Sequence, residues 1–448
     1  MTQPIQQPIT HLIHHPYTPP ATFAAPQVAV HKASTVIFPN VAAMRTREWK
    51  DKSGYTYGLH GTPTTFILEE RIATLEGALQ CVLVPSGLAA IANVDFALLA
   101  TGDEVLISDN AYGPGKVLAA GELAQFGITH RYYDSMDPAD LAAKITHKTK
   151  LVWLEAPGSV TMEFPDLIAL VKVCKARGVL CALDNTWGAG LAFNAFDLEG
   201  KRARADSART DVSSAGADLN LDNADVVGVD ISIQALTKYP SGGGDVLMGS
   251  VVTRDEALGL KIKLTHMRMG TGVAANDAEL ILRNIPSIAL RYRAHDIAAR
   301  QLAAWLQTRP EVDVVLHPAL PGAPGYAQWK QLCAPVLPAQ AAMDNLVINA
   351  ASSDSAYPGL AAGLFSIVFK PQYTTAQVDA FCDALKLFKL GYSWGSHLSL
   401  VVPYDIASMR DATVAHWPYR GTLVRFSIGL EDVRDLQADM AQAMGALV

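Results

Sequence analysis

Between Thr64 and about Arg283 the chain alternates repeatedly between two kinds of hydrophobic pattern, and few folds accommodate that. Short apolar, β-prone runs occur at Cys81-Val84, Glu104-Ser108, Ile128-Tyr132, Lys150-Leu154, Val179-Leu183, Ile231-Ala235 and Leu247-Val252. Helix-length stretches such as Gly115-Phe126 and Asp166-Arg177 separate most of them. Strands this short and apolar must be buried on both faces, so the alternation predicts a mostly parallel, doubly wound, seven-stranded α/β sheet with helices on each side. Residues Leu198 to Asn223 interrupt the pattern with an Ala/Asp/Ser-rich charged run that has no apolar face. That run predicts a solvent-exposed insertion.

The flanks differ. Residues 1–62 are rich in Pro, Gln and His and weakly periodic, which predicts an extended arm that packs on a partner subunit. His11, His14 and His15 on that arm read as part of a solvated polar segment, not as metal ligands. Residues 63–284 form the large domain. From 285 to 448 the pattern changes to a long helical stretch, with Arg291, Arg293 and Arg300 following Arg283, and then to strands at Val312-Leu316, Leu364-Phe369 and Leu423-Ile428. Helices near Ala376-Phe388 and Asp432-Met444 complete a smaller α+β C-terminal domain.

With 448 residues, half of them hydrophobic, the chain can bury large cores. A net charge of −7 with no basic stripe argues against nucleic acid as a partner. Cys81, Cys174, Cys181, Cys333 and Cys382 sit in apolar surroundings without metal-ligand spacing, as reduced core cysteines do. No segment has the length and apolarity of a membrane span, and the first residues lack the blocks of a signal peptide. A cytoplasmic protein is expected.

In sheets of this kind ligands gather at the carboxyl ends of the strands. After the first run, Ser86-Gly87-Leu88-Ala89 turns into a helix whose free N–H groups suit a phosphate, although Ser86 also reads as a simple N-cap. After the second comes Tyr112, an aromatic able to stack on a flat ring. After the fifth comes Asp184, a carboxylate that is costly there unless it meets a cation or caps a helix. After the sixth come Thr237 and Lys238. A buried lysine loses its proton readily and becomes a nucleophile for carbonyl carbon. A phosphate cradle, a stacking ring, a carboxylate and a lysine are together the requirements of pyridoxal 5′-phosphate.

The motifs Leu154-Glu155-Ala156-Pro157-Gly158-Ser159, Asp184-Asn185-Thr186-Trp187, Ser232 through Tyr239, Tyr392-Ser393-Trp394-Gly395 and Gly421 through Arg425 extend this picture. With them, the chain from about Thr35 onward resembles the Cys/Met-metabolism pyridoxal-phosphate enzymes of the fold-type I, aminotransferase-like group, most closely their β-cleaving branch. The resemblance implies that Lys238 carries the cofactor as a Schiff base and that Asp184 pairs with the pyridine nitrogen. It implies that Tyr112 stacks on the ring, with Lys238 and Tyr112 as the catalytic groups. Gly87, Leu88 and Thr237 would hold the phosphate, with Ala235 nearby. Arg425 would bind the substrate carboxylate, helped by Ser393, with Trp394 beside it. Tyr57 would cross to the phosphate and substrate of a neighbouring subunit, so a homodimer or homotetramer is expected.

Two departures from the family stand out. Leu59 occupies the place of an arginine two positions after Tyr57, with His60 as a substitute, and the loop Ser241-Gly242-Gly243-Gly244-Asp245 lacks the usual histidine. The expected activity is α,β-elimination of L-cystathionine or related cysteine S-conjugates, small thioether amino acids, to a thiol, pyruvate and ammonia. A γ-acting relative and a non-catalytic, cofactor-binding relative are the alternatives.

Overall fold

The structure is a computed structural model that describes residues 7–15, 17, 26–50, 52–201, 226–334 and 358–447. Its first sheet comprises β1 (Gln80–Val84), β2 (Glu104–Ser108), β3 (Thr129–Tyr133), β4 (Thr149–Glu155), β5 (Leu180–Asp184), β6 (Ile231–Ala235) and β7 (Gly249–Thr253). They lie in the order β1-β7-β6-β5-β4-β2-β3. The pairs β2/β3, β2/β4, β4/β5 and β5/β6 are parallel, while β7 runs antiparallel to both β1 and β6. The expected mostly parallel seven-stranded sheet is therefore present. Most strand residues are buried, as a sheet covered on both faces requires.

Each strand is placed by the helix before or after it. The Pro63–Glu76 helix starts with a capping box in which Thr62 and Thr65 satisfy each other's backbone N–H groups, with Pro63 at the first turn. The segment expected as one helix over Gly115-Phe126 is a helix, Gly113–Leu118, continued by a π-helical turn at Ala119–Leu123. The Leu167–Arg177 helix begins at an Asp166 cap and matches its expected range.

The second sheet contains β8 (Val312–Leu316), β9 (Leu364–Phe369), β10 (Lys389–Leu390), β11 (Leu400–Tyr404) and β12 (Leu423–Ser427), in the order β10-β11-β12-β9-β8. All its pairs are antiparallel except β10/β11. The long Ile288–Leu306 helix packs on it through Leu302, Ala303 and Leu306. The helix expected to run to Phe388 stops at Ala384, because the buried Asp439 carboxylate accepts the N–H groups of Lys386 at 2.9 Å and Leu387 at 2.7 Å.

The stretch around His11, His14 and His15, expected to be solvated and polar, is in part packed down. Pro8–Ile13 is a short helix whose Leu12 is fully buried, and His15 Nε2 lies 2.8 Å from Thr74 Oγ1. Leu12 drives that docking, since one leucine removed from water outweighs the weak solvation preference of the flanking polar residues. The expected insertion over 198–223 lies outside the described residues from position 202 onward. All five cysteines are buried and unpaired. Among the described residues no helix is long and apolar enough to cross a membrane.

Candidate active site

Parallel β4, β5 and β6 end side by side, which brings their terminal residues into one cleft. Glu155 pairs in register with Asp184, and Asp184 with Ile233. Asp184 accepts hydrogen bonds from the Thr186 N–H at 3.0 Å and the Thr186 hydroxyl at 2.5 Å. The same hydroxyl accepts the Ala235 N–H at 2.9 Å, so Thr186 fastens the end of β5 to the end of β6. Burial pushes the Asp184 carboxyl above the usual range, with the Thr186 bonds and nearby Lys238 opposing. Asp184 caps no helix, and no lysine or arginine among the described residues forms an ion pair with it. A cation in front of it would remove that cost.

Lys238 follows β6 by three residues. Its Nζ donates to Ser393 Oγ at 2.9 Å and lies 5.4 Å from the centre of the Trp394 ring. Burial, reinforced by the Arg425 guanidinium, brings the amine down to about 8, with Asp184 acting in the opposite direction. The loop carrying Ser393 and Trp394 approaches this closely because Gly395 has a positive φ of 82° and stands against the next peptide. A Cβ there would fall 2.8 Å from Tyr239 N.

The Gly87–Leu98 helix meets the same strand ends. Ser86 caps it by accepting the Ala89 N–H, which leaves the N–H groups of Gly87 and Leu88 at its open end. Gly87 is needed for the approach, since a Cβ would lie 2.7 Å from Ala235 Cβ. Thr237 bonds across to Met248, accepting its N–H at 3.2 Å. Tyr112 stands at the mouth, 39% exposed, and its N–H donates to Glu155 at 2.7 Å. Burial raises its phenol, and the Asp184 and Glu155 charges raise it further. Arg425 comes from β12 and is buried, with its guanidinium 5.1 Å from the Tyr404 ring centre and Nη1 donating to the Ser159 carbonyl at 3.2 Å. Desolvation lowers its guanidinium, and Tyr404 and Glu155 oppose that.

Lys238 and Tyr112 both feel the charges of Asp184 and Arg425, and Ser393 and Trp394 stand against Lys238. Gly87 stands against Ala235, with Leu88 and Thr237 next to Gly87 and Lys238 in the chain, so these residues gather at the strand ends. Tyr57 stands apart: it is 44% exposed on the arm, with its phenol oxygen 3.5 Å from Ser34 Oγ and its ring against His60. At the departure from the family, the Leu59 carbonyl takes the His266 ring at 3.2 Å, and His60 Nδ1 is bound to Thr56 at 2.8 Å.

Three residues in the site were not singled out in the sequence for a role. Thr186 bridges two strand ends, as described. Glu155, buried beside Asp184, has its carboxyl held well above the ordinary range by burial and by that neighbour. Glu76 lies buried behind the site and accepts from Asn185 Nδ2 at 3.0 Å, Ser232 Oγ at 2.8 Å and Gln234 Nε2 at 2.6 Å. Each sits in a quoted motif or a helix-end position, where residue type alone does not reveal its partner.

Pyridoxal 5′-phosphate suits this set. The uncompensated Asp184 would face its pyridine nitrogen, the open N–H groups at Gly87 and Leu88 its phosphate, and the deprotonation-prone Lys238 its aldehyde. Fold and site together define a fold-type I pyridoxal-phosphate enzyme. The chain belongs to the Cys/Met metabolism PLP-dependent enzyme family, whose sequence model matches residues 9–201, 220–337 and 355–445. The cystathionine beta-lyase of Salmonella typhimurium (strain LT2) is 32% identical over 434 residues, covering 95% of this chain and 95% of its own. Cystathionine beta-lyase MetC of Escherichia coli (strain K12) is 31% identical, covering 98% of each. Among solved structures, cystathionine gamma-lyase from Lactobacillus plantarum complexed with L-serine superposes with a TM-score of 0.77 at 25% identity, covering 99% of each chain.

Proposed function

We propose that the protein is a carbon–sulfur β-lyase that converts L-cystathionine, or a related cysteine S-conjugate, and water to a thiol, pyruvate and ammonia. The observation that carries this reading is the placement of Lys238 just past the end of β6, with Nζ 2.9 Å from Ser393 Oγ and 5.4 Å from the Trp394 ring centre. There burial, reinforced by Arg425 and opposed by Asp184, brings the amine down to about 8. An amine lowered that far has a neutral fraction near neutral pH, and that fraction can take a proton. When bound, the cofactor supplies an electron sink for the pair left at Cα. Arg425 grips the substrate carboxylate with its planar fork, and the Ser159 carbonyl sets the direction of that fork. Lys238 Nζ, held by Ser393, removes the Cα proton. With the cofactor bound, Asp184 would keep the pyridine nitrogen protonated and Tyr112 would stack on the ring, while Gly87, Leu88 and Thr237 would hold the phosphate, with Ala235 beside them.

Trp394 supports β- over γ-cleavage. Its indole lies 5.4 Å from Lys238 Nζ and would narrow the space beyond the substrate Cβ, at a place where, by the family resemblance, γ-acting members usually carry a smaller residue. Cystathionine β-lyases at 31–32% identity support the same reading. The likeness to a cystathionine gamma-lyase keeps a γ-acting relative as the second reading. Product analysis separates them: pyruvate from L-cystathionine is expected, and 2-oxobutanoate rejects the β reading.

Tyr57 is 44% exposed, with its phenol against Ser34 and its ring against His60, and on the family resemblance we assign it to the phosphate and substrate of a second copy. The smallest active species is then a homodimer, and a homotetramer is the expected assembly. The division into an arm (1–62), a large domain (63–284) and a C-terminal domain (285–448) is proposed on the same basis. Five buried, unpaired cysteines support a cytoplasmic location.

A further inference from the structure

Arg410 lies in the loop after the Ile406–Ser408 turn, far in sequence from the strand ends. Its side chain is nevertheless 8% exposed and enclosed by two carboxylates from the first sheet's side of the cleft. Nε donates to Asp109 Oδ2, and Nη1 lies 3.1 Å from Glu163 Oε2 and 3.2 Å from Oε1. The neighbouring backbone is tied to the same point, with the Asp411 N–H donating to Asp109 Oδ1 at 2.9 Å. Lys116 Nζ bridges the Asp109 and Met409 carbonyls at 2.8 and 2.7 Å. Glu163 also accepts from Asn110 Nδ2 at 3.0 Å and Thr161 Oγ1 at 2.8 Å.

Both carboxylates lead directly to the site. Asp109 and Asn110 open the segment that carries Tyr112. The Asn110 carbonyl accepts the Ser159 N–H at 3.1 Å, and the Glu163 carbonyl accepts the Gly158 N–H at 3.0 Å. Ser159 in turn presents its carbonyl to Arg425 at 3.2 Å. The Arg410 guanidinium therefore adds a charged clasp to the two direct bonds, Asn110 Nδ2 to Glu163 and the Ser159 N–H to the Asn110 carbonyl, that join the Tyr112 segment to the segment that orients Arg425. It does so by binding one carboxylate through Nε and another through Nη1, a task for which a lysine's point charge is poorly shaped.

We propose that Arg410 is a positioning residue for substrate binding, joining the Asp109–Tyr112 and Gly158–Glu163 segments so that the Ser159 carbonyl aims Arg425 at the substrate carboxylate. This rests on the reading of Arg425 given above and adds to it the residue that sets Arg425's geometry. The test uses the holoenzyme and the variants Arg410→Gln, Arg410→Lys, Glu163→Gln and Arg425→Lys. KM and kcat are measured for L-cystathionine, and the Kd of glycine, which has no β-carbon to cleave, is read from the cofactor's absorbance.

Because small misplacements of a binding group are costly, Arg410→Gln is expected to raise KM and the glycine Kd about tenfold or more. Cofactor content and the resting absorbance band stay as in the wild type, and kcat changes less than KM. Arg410→Lys recovers part of the loss. Glu163→Gln, which removes only one of the two contacts, moves both constants in the same direction by less, and it carries the test should Arg410→Gln not fold. Unchanged KM and Kd in both variants, with only a lower Tm, overturn the proposal and leave a purely structural ion pair. An unchanged KM in Arg425→Lys removes instead the reading of Arg425 on which it rests.

Discussion

The two sheets contribute to the cleft in different ways. The seven-stranded sheet offers residues at the ends of parallel strands, where neighbouring termini open on the same side and need only the right residue types to form a site. Asp184, Thr237 and Lys238 are of this kind, and Glu155 pairs with Asp184 in register. The five-stranded sheet is nearly all antiparallel, so its strand ends point both ways and collect nothing. Its contributions are one mid-strand residue, Arg425, and the loop bearing Ser393 and Trp394. On the proposed reading, the first region would supply the groups for the cofactor's chemistry, and the second would supply those that recognise the amino acid substrate.

Substitutions in the first region should therefore strike turnover and cofactor state, and those in the second should strike substrate binding. Lys238→Ala carries the largest expected effect: kcat falls about a thousandfold or more, the size of a lost general base, and the visible cofactor band disappears. Asp184→Asn keeps an acceptor for the Thr186 hydrogen bonds but removes the charge, so kcat is expected to fall about a hundredfold while KM moves little. A large rise in KM there would blur the division between the regions. Arg425→Lys is the counterpart: with the fork replaced by a point charge, KM rises about tenfold to a hundredfold and the absorbance band stays intact.

A pH series sharpens the same contrast. The Lys238 amine, lowered to about 8 by burial and Arg425, is protonated below that value and neutral above it. Cofactor uptake by the apoprotein needs the neutral amine, so its rate should drop as pH falls below about 8, close to tenfold per unit. Neutralising Arg425 (Arg425→Gln) removes a like charge and should move that limb upward.

An effect on stability with none expected on turnover concerns Asp95, buried beside the cleft, whose carboxyl is raised to about 7 by burial, with the Trp153 Nε1 hydrogen bond at 2.8 Å opposing. The unfolded chain releases this proton near pH 4. Folded protein thus binds more protons between about pH 4 and 7, and stability declines through that window by about 1.4 kcal/mol per unit. Asp95→Asn should flatten the decline in a denaturation series without changing kcat.

Legibility in the sequence followed the same divide. All seven strands of the first sheet were readable from apolar, β-prone runs, with ends displaced by a residue or two, because doubly covered strands have little freedom of composition. The strand ends then named Asp184, Thr237 and Lys238 from residue chemistry. β11 escaped because Pro403 lies within it, and proline argues against a central strand. The structure resolves the conflict: β10 pairs only as far as Val401, so Pro403 occupies a free edge. β10, two residues long, carries no periodic signal. Arg425 was an ordinary strand arginine until the family resemblance singled it out. Glu155, Thr186 and Glu76 escaped because their roles lie in their partners, and partners across a sheet are set by register.

The proposed chemistry depends above all on which amine holds the cofactor. Borohydride reduction of the holoenzyme followed by peptide mass spectrometry measures this directly. A pyridoxyl-phosphate adduct on Lys238 is the expected result. An adduct confined to any other lysine, or none in protein showing a visible cofactor band, would contradict the site as described.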